Sequence, residues 1–497
     1  MIFLRHPLPM FYNALLLTAV NLALRLAGTT FQVYLSGRIG AAGIGLLQLV
    51  MSVGGLAVVA GVAGIRTASM YLTAEELGKK RPQNITWVLS GCILYCILCS
   101  GTIAAAMYSF APQIAENWIG DFRTVHSLRL FAAFLPVVCL GNVMVGYFTA
   151  ANRISTLAAV EVAEQLVSMT VTITVLSVWA GDDPSRACLS VILGSSTAAV
   201  LTLLCLILLR LRENPETGNR IPIAGRLTNT AIPLAVADVL KSGINTVENL
   251  MVPKRLAKNL SVADPLAAFG LVSGMVFPVL MFPACILFGL TELLVPELAR
   301  CSAAGRRQRI SYLVQRSFRI ALLYGLAFGG LEYLFSDWLC IRLYQNTEAG
   351  SYLKLYALLI PMLYCDAITD AMTKGLGQQK ICVRYNILTS AMDVIFLYLM
   401  LPDYGMIGYY ISFTVTHLLN FILSLRRLLK ITEETIPFYL PAFSICATVA
   451  AVWGAACFSS PILRCVSFLG ILWSLLCLLG VSGMDDIRWI RGLLHKK

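Results

Sequence analysis

Asn21, Arg25 and Gln32 fall on one face of an otherwise apolar segment, with Gly28 between them, at i, i+4, i+11 and i+7. A second segment repeats the device more densely: Asp238, Lys241, Asn245 and Glu248 share a face, with Asn249 beside it. Shorter polar stripes run through Glu161, Glu164 or Gln165, Ser168 and Thr172, through Asp366, Asp370 and Thr373, and through Asn386, Ser390 and Asp393. Gln48, Ser52 and Gly55 line another, with Arg66 beyond them. An ionisable side chain at the centre of a bilayer costs about 2.5–3.5 kcal/mol on insertion scales, so such groups face a cavity or a partner. The chemistry these stripes offer is therefore binding and transfer of a charged solute. Candidate substrate contacts are Asn21, Arg25, Gln32, Arg66, Asp238, Lys241, Asn245 and Glu248. Candidate ion-coupling groups are Glu164, Asp366, Asp370 and Asp393, whose carboxyls suit Na+ or H+. No metal spacing and no cofactor motif stands out.

Bland readings compete at several positions. Asp238 with Lys241, or Lys241 with Glu248, can pair along one helix and only stiffen it. Glu161 is near enough to a span end to reach water. Arg319 is expected to snorkel to water, and the lone His417 to pack as a neutral side chain.

The elements that must carry these stripes are membrane helices. Of 497 residues, 58% are hydrophobic and 13% charged, with a mean hydropathy of +0.77. That is more apolar surface than one aqueous core can hide. At about 20 residues per crossing, the apolar runs predict fourteen helices near 11–35, 43–70, 86–110, 127–150, 155–180, 187–210, 228–252, 265–295, 312–335, 352–374, 382–401, 406–429, 437–458 and 462–482. The first lacks a small-residue cleavage site and is read as a retained helix rather than a signal peptide.

Loop charge orients the bundle. With the N-terminus inside, 24 of the 38 Lys and Arg fall in inner loops or tails and 10 in outer loops or their edges. The positive-inside rule then places both termini in the cytoplasm and the chain in the cytoplasmic membrane. The net charge of +12 is thereby explained by topology, and no nucleic-acid partner is expected.

The spans are organised as a repeat. Leu128-Arg-Leu-Phe-Ala-Ala-Phe-Leu-Pro136 matches Leu353-Lys-Leu-Tyr-Ala-Leu-Leu-Ile-Pro361, each opening the fourth helix of its half. Arg38 to Glu76 and Arg255 to Glu297 match more weakly. Six helices per half is an even number, so the halves are parallel repeats. The expected division is an N-terminal lobe at 1–211, a linker at 212–226, a C-terminal lobe at 227–430, and an extra helix pair with a basic tail at 431–497. The first helices of the two lobes both carry a polar stripe with a mid-span cation, as a shared water-accessible chamber requires. Glycines crowding the second helix, and Pro278 and Pro283 in the eighth, suit helices that pack closely and bend.

Other classes find little support. There is no Walker loop, HExxH or GxSxG motif. Asp182 and Asp183 read as a solvated turn. The fifteen cysteines sit largely in apolar runs and read as small buried hydrophobes.

Asn13-Ala-Leu-Leu-Leu-Thr18, Arg25-Leu-Ala-Gly28 and Tyr34-Leu-Ser-Gly-Arg-Ile-Gly-Ala-Ala-Gly43-Ile-Gly-Leu-Leu-Gln48 resemble the polysaccharide-flippase branch of the multidrug/oligosaccharidyl-lipid/polysaccharide (MOP) exporter superfamily. Within it the chain looks like the stage V sporulation protein B group. Ala74-Glu-Glu-Leu-Gly78 and Lys374-Gly-Leu-Gly-Gln378 support this. The resemblance implies an all-α fold of two six-helix lobes plus two helices, and alternating access. It implies an undecaprenyl-pyrophosphate sugar or peptidoglycan precursor as cargo. It further implies that Arg25 and Arg66 hold the pyrophosphate and that 437–482 help form a groove for the lipid tail. Lys241 is an analogous cation by repeat position only. Expected partners are the lipid-linked precursor, the bilayer and the cell-wall synthesis machinery, in spore cortex or wall formation. Two rivals remain: a cation-coupled drug or metabolite antiporter of the same superfamily, and a membrane glycosyltransferase or assembly scaffold.

Overall fold

Hydrocarbon offers no hydrogen bonds to a backbone, so a chain this apolar must satisfy its N–H and C=O groups within helices. The computed structural model describes residues 10–79, 81–180, 183–213, 223–435, 437 and 439–481, and every regular element among them is helical. The side chains at 10–19, 21, 180, 292 and 293 lie outside that description. So do Arg5, Asp182, most of the expected linker and the basic tail from 482.

The helices are α1 (Met10–Val62), α2 (Ile65–Gly78), α3 (Ile85–Ser109), α4 (Ala111–Gln113), α5 (Val125–Ala150), α6 (Ile154–Val175), α7 (Pro184–Leu211), α8 (Ala224–Leu256) and α9 (Pro265–Leu271). They continue with α10 (Phe277–Leu280), α11 (Ala284–Ala303), α12 (Arg307–Tyr344), α13 (Thr347–Ala357), α14 (Ile360–Gly375), α15 (Gln379–Thr432), α16 (Tyr439–Ala456) and α17 (Pro461–Leu478). Among the described residues nine continuous helical stretches are long and apolar enough to cross a membrane, or eleven if each of two bent pairs is one crossing. Gly40 (φ 68°) breaks α1 and Gly405 (φ 56°) breaks α15. Every one of the fourteen expected segments therefore has a helical counterpart. The chain is a multi-pass membrane protein.

Contacts group Met1–Met275 with Asp393–Tyr409 in one unit, and Val276–Met392 with Tyr410–Lys497 in a second. In the first, α8 packs on α1 and α2 although it opens the second sequence repeat. Close approach of α1 and α9 depends on glycine: a Cβ at Gly270 would stand 2.0 Å from the Ala41 carbonyl oxygen. Gly270→Val should therefore lower stability by at least about 1–3 kcal/mol, the usual cost of overpacking. Gly28→Ala, where a Cβ meets nothing within 4 Å inside a helix, should not lower it, since alanine is the better helix former. Heating followed by size-exclusion chromatography of detergent-solubilised protein measures both.

At the other end of α2, Arg226 at the start of α8 donates to Glu75 Oε2 at 2.7 Å and to Glu76 Oε1 at 3.1 Å. Asn84 donates to Glu76 Oε2 at 2.9 Å. The buried Glu76 carboxylate is thus fully occupied, which fixes α8 against α2. Asp183 caps α7 by accepting from the Ser185 N–H at 2.9 Å, as a turn residue should.

The second unit is built around the 38-residue α12, which packs against α11, α13, α14, α16 and α17. Ala447, Ala451 and Ala455 form a small-residue stripe on α16 that receives Phe468, Leu472 and Leu476 of α17. Two breaks bend this unit's helices: one between α10 and α11, at Met281–Pro283, and one of 55° between α13 and α14, before Pro361. The second was not expected. The matching Pro136 leaves α5 unbroken, so the repeat shares its letters but not its local geometry. Arg319 is part-buried, and its Nη2 donates to the Val481 carbonyl beyond the end of α17, where the chain has run out of in-helix donors.

Candidate functional site

The first unit carries the basic residues. Arg25 on α1, Arg66 on α2 and Lys241 on α8 are all exposed. Arg66 follows the break at Ala63 and Gly64, and its carbonyl lies against Gly146 of α5. Glu161 on α6 is half-buried and within Coulombic reach of Arg66. Gln32 donates its amide to the Gly274 carbonyl at 3.1 Å, tying α1 to the π-helical turn after α9. Asn21 is helical, but its side chain lies outside the described residues.

The stripe on α8 divides in two. Asp238, Lys241 and Asn245 are exposed, and among the described residues neither Asp238 nor Lys241 makes an ion pair or hydrogen bond. The local pairs that could have explained them are not formed. The far end of the stripe turns inward. Glu248 is half-buried and hydrogen-bonds the Asp393 carboxyl of α15, which is 3% exposed. The buried Tyr409 stands close to both. Thr246 donates to the Ser52 carbonyl at 3.2 Å and Asn249 to Ser52 Oγ at 2.9 Å, so α1 holds this end of α8 in place. Two hydrogen-bonded carboxyls need a shared proton or a bound cation between them. The spacing grouped Glu248 with the outward stripe. The structure gives it to a carboxyl pair instead.

The remaining acids are spread out. Glu164 on α6 hydrogen-bonds Thr202 on α7. In the second unit, Asp366 on α14 accepts from Asn420 Nδ2 at 3.2 Å, and Asp370 pairs with Lys374 at 2.6 Å. Asp366 and His417 border a cavity of about 280 Å³ also lined by Phe277, Phe288, Tyr364 and Phe413. His417 packs as expected: its ring lies 3.8 Å from that of Phe413, and Nδ1 is 2.9 Å from the Phe413 carbonyl oxygen. No group of three or more His, Cys, Asp or Glu among the described residues is placed to hold a metal ion.

A larger groove of about 730 Å³ runs along α12, α14, α15 and α16 in the second unit. Leu322, Leu326, Met362, Leu425, Ile445 and Trp453 are among its lining, which is almost wholly apolar. One buried group escaped the sequence reading entirely. Glu332 of α12 is 5% exposed, and its Oε2 lacks a hydrogen-bond partner among the described residues. The signal was available: no Lys or Arg stands three or four positions away on either side.

Comparison with known proteins accords with this architecture. Residues 233–399 match the MatE family model. Fold, apolar helices and this partial match make the chain similar to MatE-type membrane transporters. Among curated proteins, Stage V sporulation protein B of Bacillus subtilis (strain 168) is 21% identical over 408 residues, covering 80% of this chain and 79% of that one. Among solved structures, the lipid II flippase MurJ in an inward closed conformation aligns with a TM-score of 0.69 at 13% identity, over 93% of this chain and 98% of that one. An inward-facing multidrug resistance MATE family transporter of the MOP superfamily aligns with a TM-score of 0.67 at 14% identity, over 84% of this chain and 100% of that one.

Proposed function

We propose that this membrane protein is a transporter of the MOP superfamily and works as a flippase. It moves an undecaprenyl-pyrophosphate-linked oligosaccharide or peptidoglycan precursor across the cytoplasmic membrane by alternating access, with both termini in the cytoplasm. The observation that carries this reading is the outward face of α8. A 33-residue helix bearing exposed Asp238, Lys241 and Asn245 cannot present that face to hydrocarbon without cost, so the face belongs to water and a polar solute. Arg66 and Lys241, with Arg25, are suited to a pyrophosphate, since a guanidinium stays charged and matches phosphate oxygens with paired donors.

The apolar groove of the second unit suits a prenyl chain. The likeness to MurJ and to the sporulation protein supports the same cargo class, and the latter supports a role in spore cortex or wall synthesis. The lobes at 1–211 and 227–430 would be the moving parts, and the carboxyls Glu164, Asp366, Asp370 and Asp393 would couple movement to Na+ or H+.

The test is reconstitution in proteoliposomes with a fluorescent undecaprenyl-pyrophosphate sugar. Transfer of the label from one leaflet to the other, dependent on the protein, is the expected result. No transfer under any ion gradient ends the proposal. Val449→Trp, which places a large ring in the groove, should raise the lipid concentration needed for half-maximal flipping by about tenfold, equivalent to roughly 1.4 kcal/mol of lost tail burial. A short-chain substrate analogue should feel it less.

A second reading is a cation-coupled antiporter for a drug or metabolite. The aromatic cavity bordered by Asp366 favours it, since acids and aromatic faces attract organic cations. Proton-driven efflux of a cationic dye that is lost in Asp366→Asn would decide for it.

A further inference from the structure

Glu332 has no role in the flippase reading, yet it is the most isolated carboxyl described in the second unit. It is 5% exposed, and Oε2 has no hydrogen-bond partner among the described residues. Burying an ionised carboxyl without a partner costs far more than any packing it brings. Something must neutralise it. Phe328, Gly329, Phe335 and Ser336 occupy the positions three and four residues away, so its own helix supplies no cation.

What α12 does meet at this face is backbone oxygen. Gly329, one turn before Glu332 on the same side, lies against the Ala357 carbonyl: a Cβ there would stand 3.0 Å from that oxygen. Gly325 lies against Pro361. Ala357 is the last residue of α13, at the 55° break. Its carbonyl would ordinarily accept from the residue four places on, but that residue is Pro361, which has no N–H. The other break in this unit is treated differently. Its carbonyls at Leu280 and Pro283 accept from the hydroxyls of Tyr364 and Tyr324, at 3.1 and 2.7 Å. A buried carboxyl beside a broken helix whose carbonyl has lost its donor is rich in oxygen and poor in cations. Broken membrane helices use that arrangement to bind small cations.

We propose that Glu332 and the Ala357 carbonyl form a monovalent-cation site in the second unit, filled by a proton or a sodium ion. The site is separate from the carboxyls assigned above to coupling. The titratable groups around it are Tyr324 and Cys340 on α12 and Tyr364 on α14, with Cys285 of α11 beside both tyrosines. Lys354 of α13 is exposed and lies over the ring of Tyr333. None of these is a cation aimed at Glu332, which leaves the role to a bound ion. Its occupancy bears directly on the α13–α14 bend.

The experiment needs no substrate, so its outcome is independent of the flippase reading. Full-length protein in lipid nanodiscs is melted across a pH series in choline chloride and, at fixed pH, across a NaCl series. The background is Glu161→Gln/Glu164→Gln/Glu248→Gln/Asp366→Asn/Asp370→Asn/Asp393→Asn, which silences the other carboxyls assigned above. The expected result is a rise in melting temperature with acid or with sodium that Glu332→Gln removes, the variant staying at the liganded value in every buffer. A rise with sodium at constant pH identifies sodium; a rise with acid alone identifies the proton. A response that Glu332→Gln leaves intact, or no response in the background protein, overturns the proposal. As a check that avoids substitution at Glu332, the wild-type chain is treated with dicyclohexylcarbodiimide and Glu332 modification is read by mass spectrometry. Modification that falls with NaCl or with rising pH is expected. Modification indifferent to both overturns the site.

Discussion

Lys241→Ala and Arg66→Ala should each slow flipping of an undecaprenyl-pyrophosphate sugar by about ten- to hundredfold, the worth of roughly 1.5–3 kcal/mol for a hydrogen bond to a charged group. Lys241→Ala should lower neither protein yield nor melting temperature: the side chain is exposed and has no ion-pair partner among the described residues. Arg66 is exposed too, and its removal leaves the half-buried Glu161 without the cation in its reach, so a small loss of stability is expected there alone. Unchanged stability at Lys241 separates a substrate contact from a structural one. A cation paired with a buried carboxylate, such as Arg226 on Glu76, would destabilise the protein when truncated.

The charge-keeping variants sharpen the result. Lys241→Arg should retain most of the rate, because a cation of similar reach remains. Arg66→Lys should lose part of it, because an ammonium cannot grip two phosphate oxygens at once. Raising ionic strength should depress the wild-type rate more than that of either alanine variant, since salt screens the attraction that the variants already lack. Proteoliposome flipping rates at matched protein density read all of these. Full rates in both alanine variants would remove the pyrophosphate from the proposal and strengthen the antiporter reading.

The helices were legible because lipid enforces one rule on every residue facing it. α3, α5 and α7 announce themselves by hydropathy alone. α8 announces itself by the opposite signal, a polar stripe where an apolar one was due. The breaks at Gly40 and Gly405 fell between expected spans because glycine permits the positive φ that ends one helix and starts another. The bend before Pro361 was not legible, since Pro136 in the same nine-residue motif sits inside a straight run of α5. Neighbours decide that difference: Gly325 and Gly329 let α12 press on the α13–α14 junction. The site was legible as residue types on faces and not as partnerships. Helical spacing put Glu248 beside Lys241, yet a turn of α8 buries it against Asp393, some 145 positions along the chain. Single-helix periodicity carries no information about which helix comes alongside. Glu332 was passed over for a related reason, because one acid in a long apolar helix shows no periodicity at all.

The carboxyl pair leads to the second large effect. Glu248 and Asp393 act as one site if they share a single proton or sodium ion, so neutralising either should cost as much as neutralising both. Glu248→Gln, Asp393→Asn and the double variant should each flip the lipid-linked sugar at one common, low rate, and that rate should ignore an imposed Na+ or H+ gradient. Coupling between ion and cargo sites of about 1–3 kcal/mol predicts a loss of roughly five- to 150-fold from the gradient-driven wild-type rate. The Ser52 contacts of Thr246 and Asn249 explain why so few atoms suffice, since they hold the Glu248 end of α8 against α1. Ser52→Ala removes the hydroxyl that Asn249 uses and leaves the carbonyl that Thr246 uses, so it should weaken coupling partially and spare ungraded flipping. Losses in the two single variants that multiply in the double would mean two independent sites, and the shared-ion account of this pair would have to be given up.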